Sequence, residues 1–223
     1  MSRKPRIHFP GALYHALNRG NRREPIYGDE ADYREMLDCL AEACQHYAVL
    51  VHAYCLLPNH FHLVAEVGEE PLAGCMKSAE GRYARFDNRR YRKVGHVFQG
   101  RYRAILCDKR TYLLELVRYL HLNPVRAGLV QHPADWPWSS HRACLGLEKG
   151  PDWLYRADVL SQFGKMGAPG LAAFLSQARD LGPHPEYYRP ESFPVLGGSG
   201  GPDSVPLEQE TRGGEAKAIQ GGG

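Results

Sequence analysis

Between Asn59 and Gly68 the chain reads His60-Phe61-His62-Leu63-Val64-Ala65-Glu66-Val67, and this run constrains the fold more than any other segment. In an extended strand successive side chains point to opposite faces. Phe61, Leu63, Ala65 and Val67 then form one unbroken apolar face that helices must cover, while His60 and His62 project together from the other. Just upstream, Val49 to Leu56 reads as a second strand, and Leu57-Pro58-Asn59 breaks it, so the pair is an antiparallel hairpin.

The neighbouring segments supply the rest of such a sheet. Leu13 to Asn18 reads as a first strand, followed by an arginine-rich loop, Arg19 to Glu24. Asp29 suits the N-cap of a helix to about Tyr47, with Tyr33, Met36, Leu37, Leu40, Cys44 and Tyr47 along one stripe. Pro71 suits the start of a second helix carrying Leu72, Met76, Ala79, Tyr83 and Phe86. Val97 to Leu106 reads as a fourth strand. Thr111 to about Leu122 reads as a third helix, which Pro124 is expected to limit. Strand, helix, strand, strand, helix, strand, helix predicts an α+β fold. The expected form is a ferredoxin-like antiparallel sheet with helices packed on one face, plus a small helical C-terminal extension.

The expected organisation is a main α+β domain over residues 1–145, a helical extension over 146–190 and a flexible Gly-rich acidic tail over 191–223. Short helices are expected at Trp136 to Leu145 and Gly170 to Leu181. The tail holds five acids against two bases and too little apolar surface to fold alone.

The net charge of +3 conceals an uneven distribution. Met1 to Arg23 carries six Lys or Arg and no acid, and Met76 to Arg126 carries thirteen bases against four acids. A basic body with interleaved aromatic residues suits nucleic acid. Tyr83, Phe86 and Tyr91 could stack unpaired bases, although Tyr83 and Phe86 also fit the core side of their helix. Six cysteines without a C-x-x-C pair and no visible secretory signal fit reduced thiols and a cytoplasmic location. No stretch is long and apolar enough for a membrane span.

Two imidazoles a strand step apart can chelate one divalent ion, although H-x-H in a chain with eleven histidines selects nothing by itself. Imidazole suits Mn²⁺ or Zn²⁺, whereas Mg²⁺ needs phosphate oxygens to complete its shell. A metal hydrolase for small substrates would need a general-base carboxylate beside the histidines. Glu66, four residues beyond His62 on the same face, is the local candidate. In Arg118-Tyr119-Leu120-His121-Leu122-Asn123-Pro124, Tyr119 and Asn123 share a helix face, unless Pro124 turns Asn123 away from it. With thirteen tyrosines present, spacing alone does not single out Tyr119.

Taken in order, His60 to His62, Phe98-Gln99-Gly100-Arg101-Tyr102 and Tyr119 to Val130 resemble the REP-associated tyrosine transposases. These are relatives of the single-strand insertion-sequence transposases within the HUH nuclease group. The resemblance spans roughly Pro5 to Leu145, and Trp136-Pro137-Trp138-Ser139-Ser140-His141 also matches the family's downstream segment. It implies that His60 and His62 hold Mg²⁺ or Mn²⁺ with Asn123 as third ligand. It further implies that Tyr119 attacks single-stranded DNA beside a hairpin, forming a 5′-phosphotyrosine link. A monomer is implied, with a dimer as the other option. Arg19, Arg22, Arg23, Arg101 and Arg103 are candidates for holding DNA phosphates. The alternative is a non-catalytic hairpin-binding regulator descended from such an enzyme.

Overall fold

In a computed structural model, which describes residues 7–177 and 195–196, four antiparallel strands form the sheet: β1 (Leu13–Arg19), β2 (Leu50–Leu57), β3 (His60–Glu66) and β4 (Arg103–Cys107). Their order is β2-β3-β1-β4, extended by a two-residue β5 (Val195–Leu196) running parallel to β4. The helix α1 (Glu30–His46) joins β1 to β2, and α2 (Leu72–Tyr91) joins β3 to β4. This is the expected ferredoxin-like arrangement, in which each crossover helix spans one intervening strand. β5 falls within the stretch read as a tail; the rest of that tail and residues 178–190 of the extension lie outside the described residues.

Local chemistry accounts for the helix ends. Asp29 accepts hydrogen bonds from the backbone amides of Ala31 (2.9 Å) and Asp32 (3.3 Å), capping α1. Asp108 does the same for α3 (Lys109–Arg126), through Arg110 N and Thr111 N. Pro124 does not stop α3 at Leu122 as expected. It sits in the last turn, where only one intrahelical bond is lost, and the helix ends at Arg126 before Gly128 at φ +67°.

The sheet is covered on both faces, not one. Almost every residue of β1, β2 and β3 is buried, without the in–out alternation of a half-exposed sheet. Phe61 and Asn18 lie opposite each other on the α2 side: Phe61 packs on Phe98, which meets Tyr83, and Asn18 donates to Glu80. On the imidazole side lies α3, whose Tyr119 ring touches His15 and His62. The face read as opposite the core is thus a second core layer, and His62 is fully buried in it. Tyr83 is also fully buried and donates to the Ile26 carbonyl, which makes it a core residue and not a base-stacking platform.

β4 is shorter than expected. Val97 to Gln99 instead pair with the end of β1 and its loop: Gln99 N donates to Arg19 O and Asn21 N to Val97 O, both at 2.8 Å. Arg101 consequently lies in a bend before β4, and only Arg103 keeps a strand position.

Downstream, Trp136 to Leu145 is not one helix. Trp138 to Ser140 runs beside the outer edge of β2, with Leu56 N donating to Trp138 O (2.8 Å) and Ser140 N to Tyr54 O (3.0 Å). Only then does the short α4 (His141–Cys144) form. The extension continues with α5 (Ala157–Ser161) and α6 (Gly167–Ser176). Tyr155 N donates to Val51 O (2.8 Å), seating the extension on the same edge. Among the described residues all six cysteines are free and buried, and no helix is long and apolar enough to cross a membrane.

Candidate active site

Strand register brings the site together. His60 opposes Arg19 of β1, and His62 opposes Leu17, which in turn opposes Arg103 of β4. Directly opposed residues share a face, so Arg19, His60, His62 and Arg103 lie on one side of the sheet's end. The His60 and His62 rings are 5.0 Å apart.

Each imidazole is held by a different neighbour. Asn59 Nδ2 donates to the Arg23 carbonyl (3.0 Å), so its Oδ1 is the atom that faces His60 Nδ1 at 2.7 Å. A carboxamide oxygen only accepts, which puts the proton on His60 Nδ1 and the lone pair on Nε2. His62 Nδ1 lies 2.9 Å from His15 Nε2, with the two rings stacked at 5.1 Å. Burial, with help from the Arg19 charge, pushes His60 down to about 4. Burial also pushes His62 well below the usual imidazole range, reinforced by His60, His15 and Arg19. Both rings are neutral near pH 7, the form a metal requires.

Tyr119 comes from the middle of α3 and meets this pair within one chain. Its ring centre is 5.8 Å from His62 and 5.9 Å from His15, both edge-on. Arg126, nearly two helical turns later, donates Nη1 to the Tyr119 carbonyl (3.0 Å) and lays its guanidinium 5.0 Å from the Tyr119 ring centre. The bond reaches into the turn that Pro124 disturbs. Asn123 stays helical, one turn after Tyr119, and is buried. Its Nδ2 finds no hydrogen-bond partner among the described residues, an orphaned polar group of the kind that a ligand or substrate relieves. Two neutral imidazoles on one face are donors suited to a divalent cation.

A family model described as "Transposase IS200 like" matches residues 9–123. The chain belongs to this family.

This IS200-like transposase is also 29% identical, over 136 residues, to a Haemophilus influenzae protein named "Putative REP-associated tyrosine transposase". That match covers 55% of this chain and 77% of the relative. A solved REP-associated tyrosine transposase, bound to a REP hairpin, superposes with a TM-score of 0.57 at 18% identity. It covers 70% of this chain and 92% of that one, and establishes a shared fold.

The arginines expected at the DNA divide by position. Arg19 is half-buried beside His60, and Arg103 is exposed on the imidazole side. Arg22 and Arg23 are exposed on the loop, both at positive φ (53° and 65°). That loop is tight at Gly20, where a Cβ would lie 2.2 Å from the Glu24 carbonyl oxygen. Arg101 is exposed in its bend.

Three residues around the site of this transposase were not legible in its sequence as site residues: His15, Asn59 and Arg126. His15 carried one signal, a lone imidazole in the middle of an apolar strand. Asn59 read as a turn-former and Arg126 only as part of a motif.

The same sheet face holds a second cluster at its other end. His52 Nε2 donates to Glu66 Oε2 (2.8 Å), and Lys109 Nζ lies 2.6 Å from both Glu66 Oε2 and Asp158 Oδ2. The ligand atoms of His52, Glu66 and Asp158 lie within 4.8 Å of one another, a spacing a metal ion could use. Lys109 already supplies the cation there. Glu66, committed to these partners, is not the general base that a small-substrate hydrolase would need beside His62.

Proposed function

We propose that this chain is a metal-dependent enzyme that nicks and joins single-stranded DNA at REP-like hairpins, with Tyr119 as nucleophile. The observation that carries the reading is the meeting of the Tyr119 and His62 rings at 5.8 Å within one chain. The solved relative bound to a REP hairpin supports the hairpin as substrate class. One chain supplies both tyrosine and histidines, so a monomer suffices.

In this mechanism His60, His62 and Asn123 would hold Mg²⁺ or Mn²⁺, which when bound would supply Lewis-acid polarisation of the scissile phosphate. Tyr119 Oη bonds to phosphorus as the bond to the 3′-oxygen breaks, leaving a 5′-phosphotyrosine ester. The phenol gives up its proton and the departing 3′-oxygen gains one, so the step is balanced. Joining is the reverse attack by a 3′-hydroxyl on that ester. Arg19 and Arg103, flanking the two imidazoles across the sheet, neutralise the phosphates on either side, and Arg22, Arg23 and Arg101 extend the basic track.

The deciding experiment uses end-labelled single-stranded hairpin DNA from the gene's own flanks, with and without Mn²⁺ or Mg²⁺. The expected product is a metal-dependent nick with protein attached to the 5′ end, absent in Tyr119→Phe. Tight hairpin binding with no nick at any flank would instead identify a non-catalytic regulator. Cleavage at the unaltered rate by Tyr119→Phe would remove Tyr119 as nucleophile.

A further inference from the structure

We infer that His15 is a positioning residue that fixes the proton of His62 so that His62 can bind its metal ion; the inference rests on the metal site proposed above. His15 stands at the centre of β1 opposite Val64, fully buried between Ala16 and Tyr14. An apolar side chain would fill that place at less cost, because an imidazole taken out of water needs a polar partner. Its partner is His62, through Nε2 and Nδ1 at 2.9 Å.

One hydrogen bond between two neutral imidazoles needs one protonated and one bare nitrogen. A metal ion takes the lone pair of His62 Nε2 only when the proton of that ring sits on Nδ1. The Nδ1–H of His62 must then donate to a bare His15 Nε2, and His15 carries its own proton on Nδ1. Asn59 does the same for His60 through its carboxamide oxygen. Each of the two ligand histidines thus has its own acceptor, one from the hairpin turn and one from the neighbouring strand. His15 has a second contact that Asn59 lacks. Its ring also meets the edge of Tyr119 at 5.9 Å, so the residue that orients the ligand also borders the nucleophile.

The test measures Mn²⁺ dissociation constants for the full-length protein by electron paramagnetic resonance of free Mn²⁺, beside metal-free melting temperatures. His15→Phe keeps a ring and loses the acceptor; His15→Gln keeps an acceptor near the Nε2 position. Loss of an outer-shell partner of this kind weakens metal binding by roughly 10- to 100-fold, which is the expectation for His15→Phe. His15→Gln is expected to recover most of that loss. His15→Phe binding Mn²⁺ as tightly as the unaltered protein would overturn the inference. Equal weakening in both variants, with equal loss of metal-free melting temperature, would also overturn it, because His15 would then only pack the core. No Mn²⁺ binding by the unaltered protein, or undiminished binding by His62→Ala, would remove the metal site itself and the inference with it.

Discussion

The imidazole face of the sheet carries two polar clusters, one at each end of β3, and they have opposite electrostatic designs. At the Glu66 end, two carboxylates face Lys109, and a neutral His52 donates into the same group. Lys109 holds the Asp158 carboxyl below the ordinary carboxylate range. At the His60 end, three imidazoles and a tyrosine gather, His62 bonding to His15 and His60 to Asn59, and burial keeps His60 and His62 neutral. From His62 to Glu66 is about 13 Å along the strand. Donor geometry alone would rank the Glu66 end as the better metal site, since it includes hard carboxylate oxygens. Occupancy reverses the ranking: Lys109 already places a cation between the two carboxylates and ties α3 and α5 to the sheet, whereas neutral donors beside arginines suit a cation that arrives with an anionic phosphate.

That contrast is open to direct attack. The largest effect is expected from His62→Ala, which should reduce nicking by on the order of 10³-fold or more, read in the hairpin assay, with metal-free stability changed far less. A variant that still nicks at full rate would place the reactive centre elsewhere. Lys109→Ala should cost about 1–2 kcal/mol in denaturant unfolding, reduced from a fully buried pair because all three partners are partly exposed. The same variant should show a larger Zn²⁺-dependent rise in melting temperature than the unaltered protein, since three further donors then lie open to a metal. Without that gain, the Glu66 cluster is not a metal geometry held by its own lysine.

Acid should act through depressed imidazoles at both ends, His52 beside Glu66 as well as the pair at the other. His60 and His62 have folded pKa values below the unfolded value of about 6.5, so the fold resists their protonation. Their contribution to stability is complete above pH 6.5 and is lost as pH falls towards about 4, where His60 titrates. Melting temperature followed from pH 7 to 4 should fall less steeply in a His60→Gln variant. An unchanged slope would mean that His60 is not a neutral buried imidazole. The smallest effect is expected from Arg103→Gln, which should lower the salt dependence of hairpin binding by about one phosphate contact. An unchanged slope would leave Arg103 off the DNA path.

Much of the architecture was legible in the sequence because local signals and tertiary demands agreed. The β3 alternation, the Pro58-Asn59 break, the Asp29 cap and the α1 stripe each appear within a residue or two of where pattern places them. Disagreements arose where a distant partner decided. Val97 and Phe98 have strand chemistry, yet the nearest unpaired backbone belongs to Arg19–Asn21, so they pair there and not as part of β4. Pro124 disfavours a helix in isolation, but burial of Leu120, Leu122 and Asn123 carries α3 through it. At the candidate site, spacing put His60 and His62 on one strand face, but only family resemblance singled them out together with Tyr119 and Asn123. His15 was hidden because the role proposed for it depends on register between strands separated by an entire helix and another strand.

The strip from Trp138 to Ser140 along β2 has a consequence for how copies of this molecule can meet. An exposed strand border is an invitation to add another strand, and so to aggregation. Here the chain turns back to occupy the β2 border itself, while the two residues of β5 pair with the end of β4 on the other side. Fusing two sheets through the β2 border would first require peeling away part of the chain's own backbone. Crowding many copies together therefore need not drive them into filaments through that border.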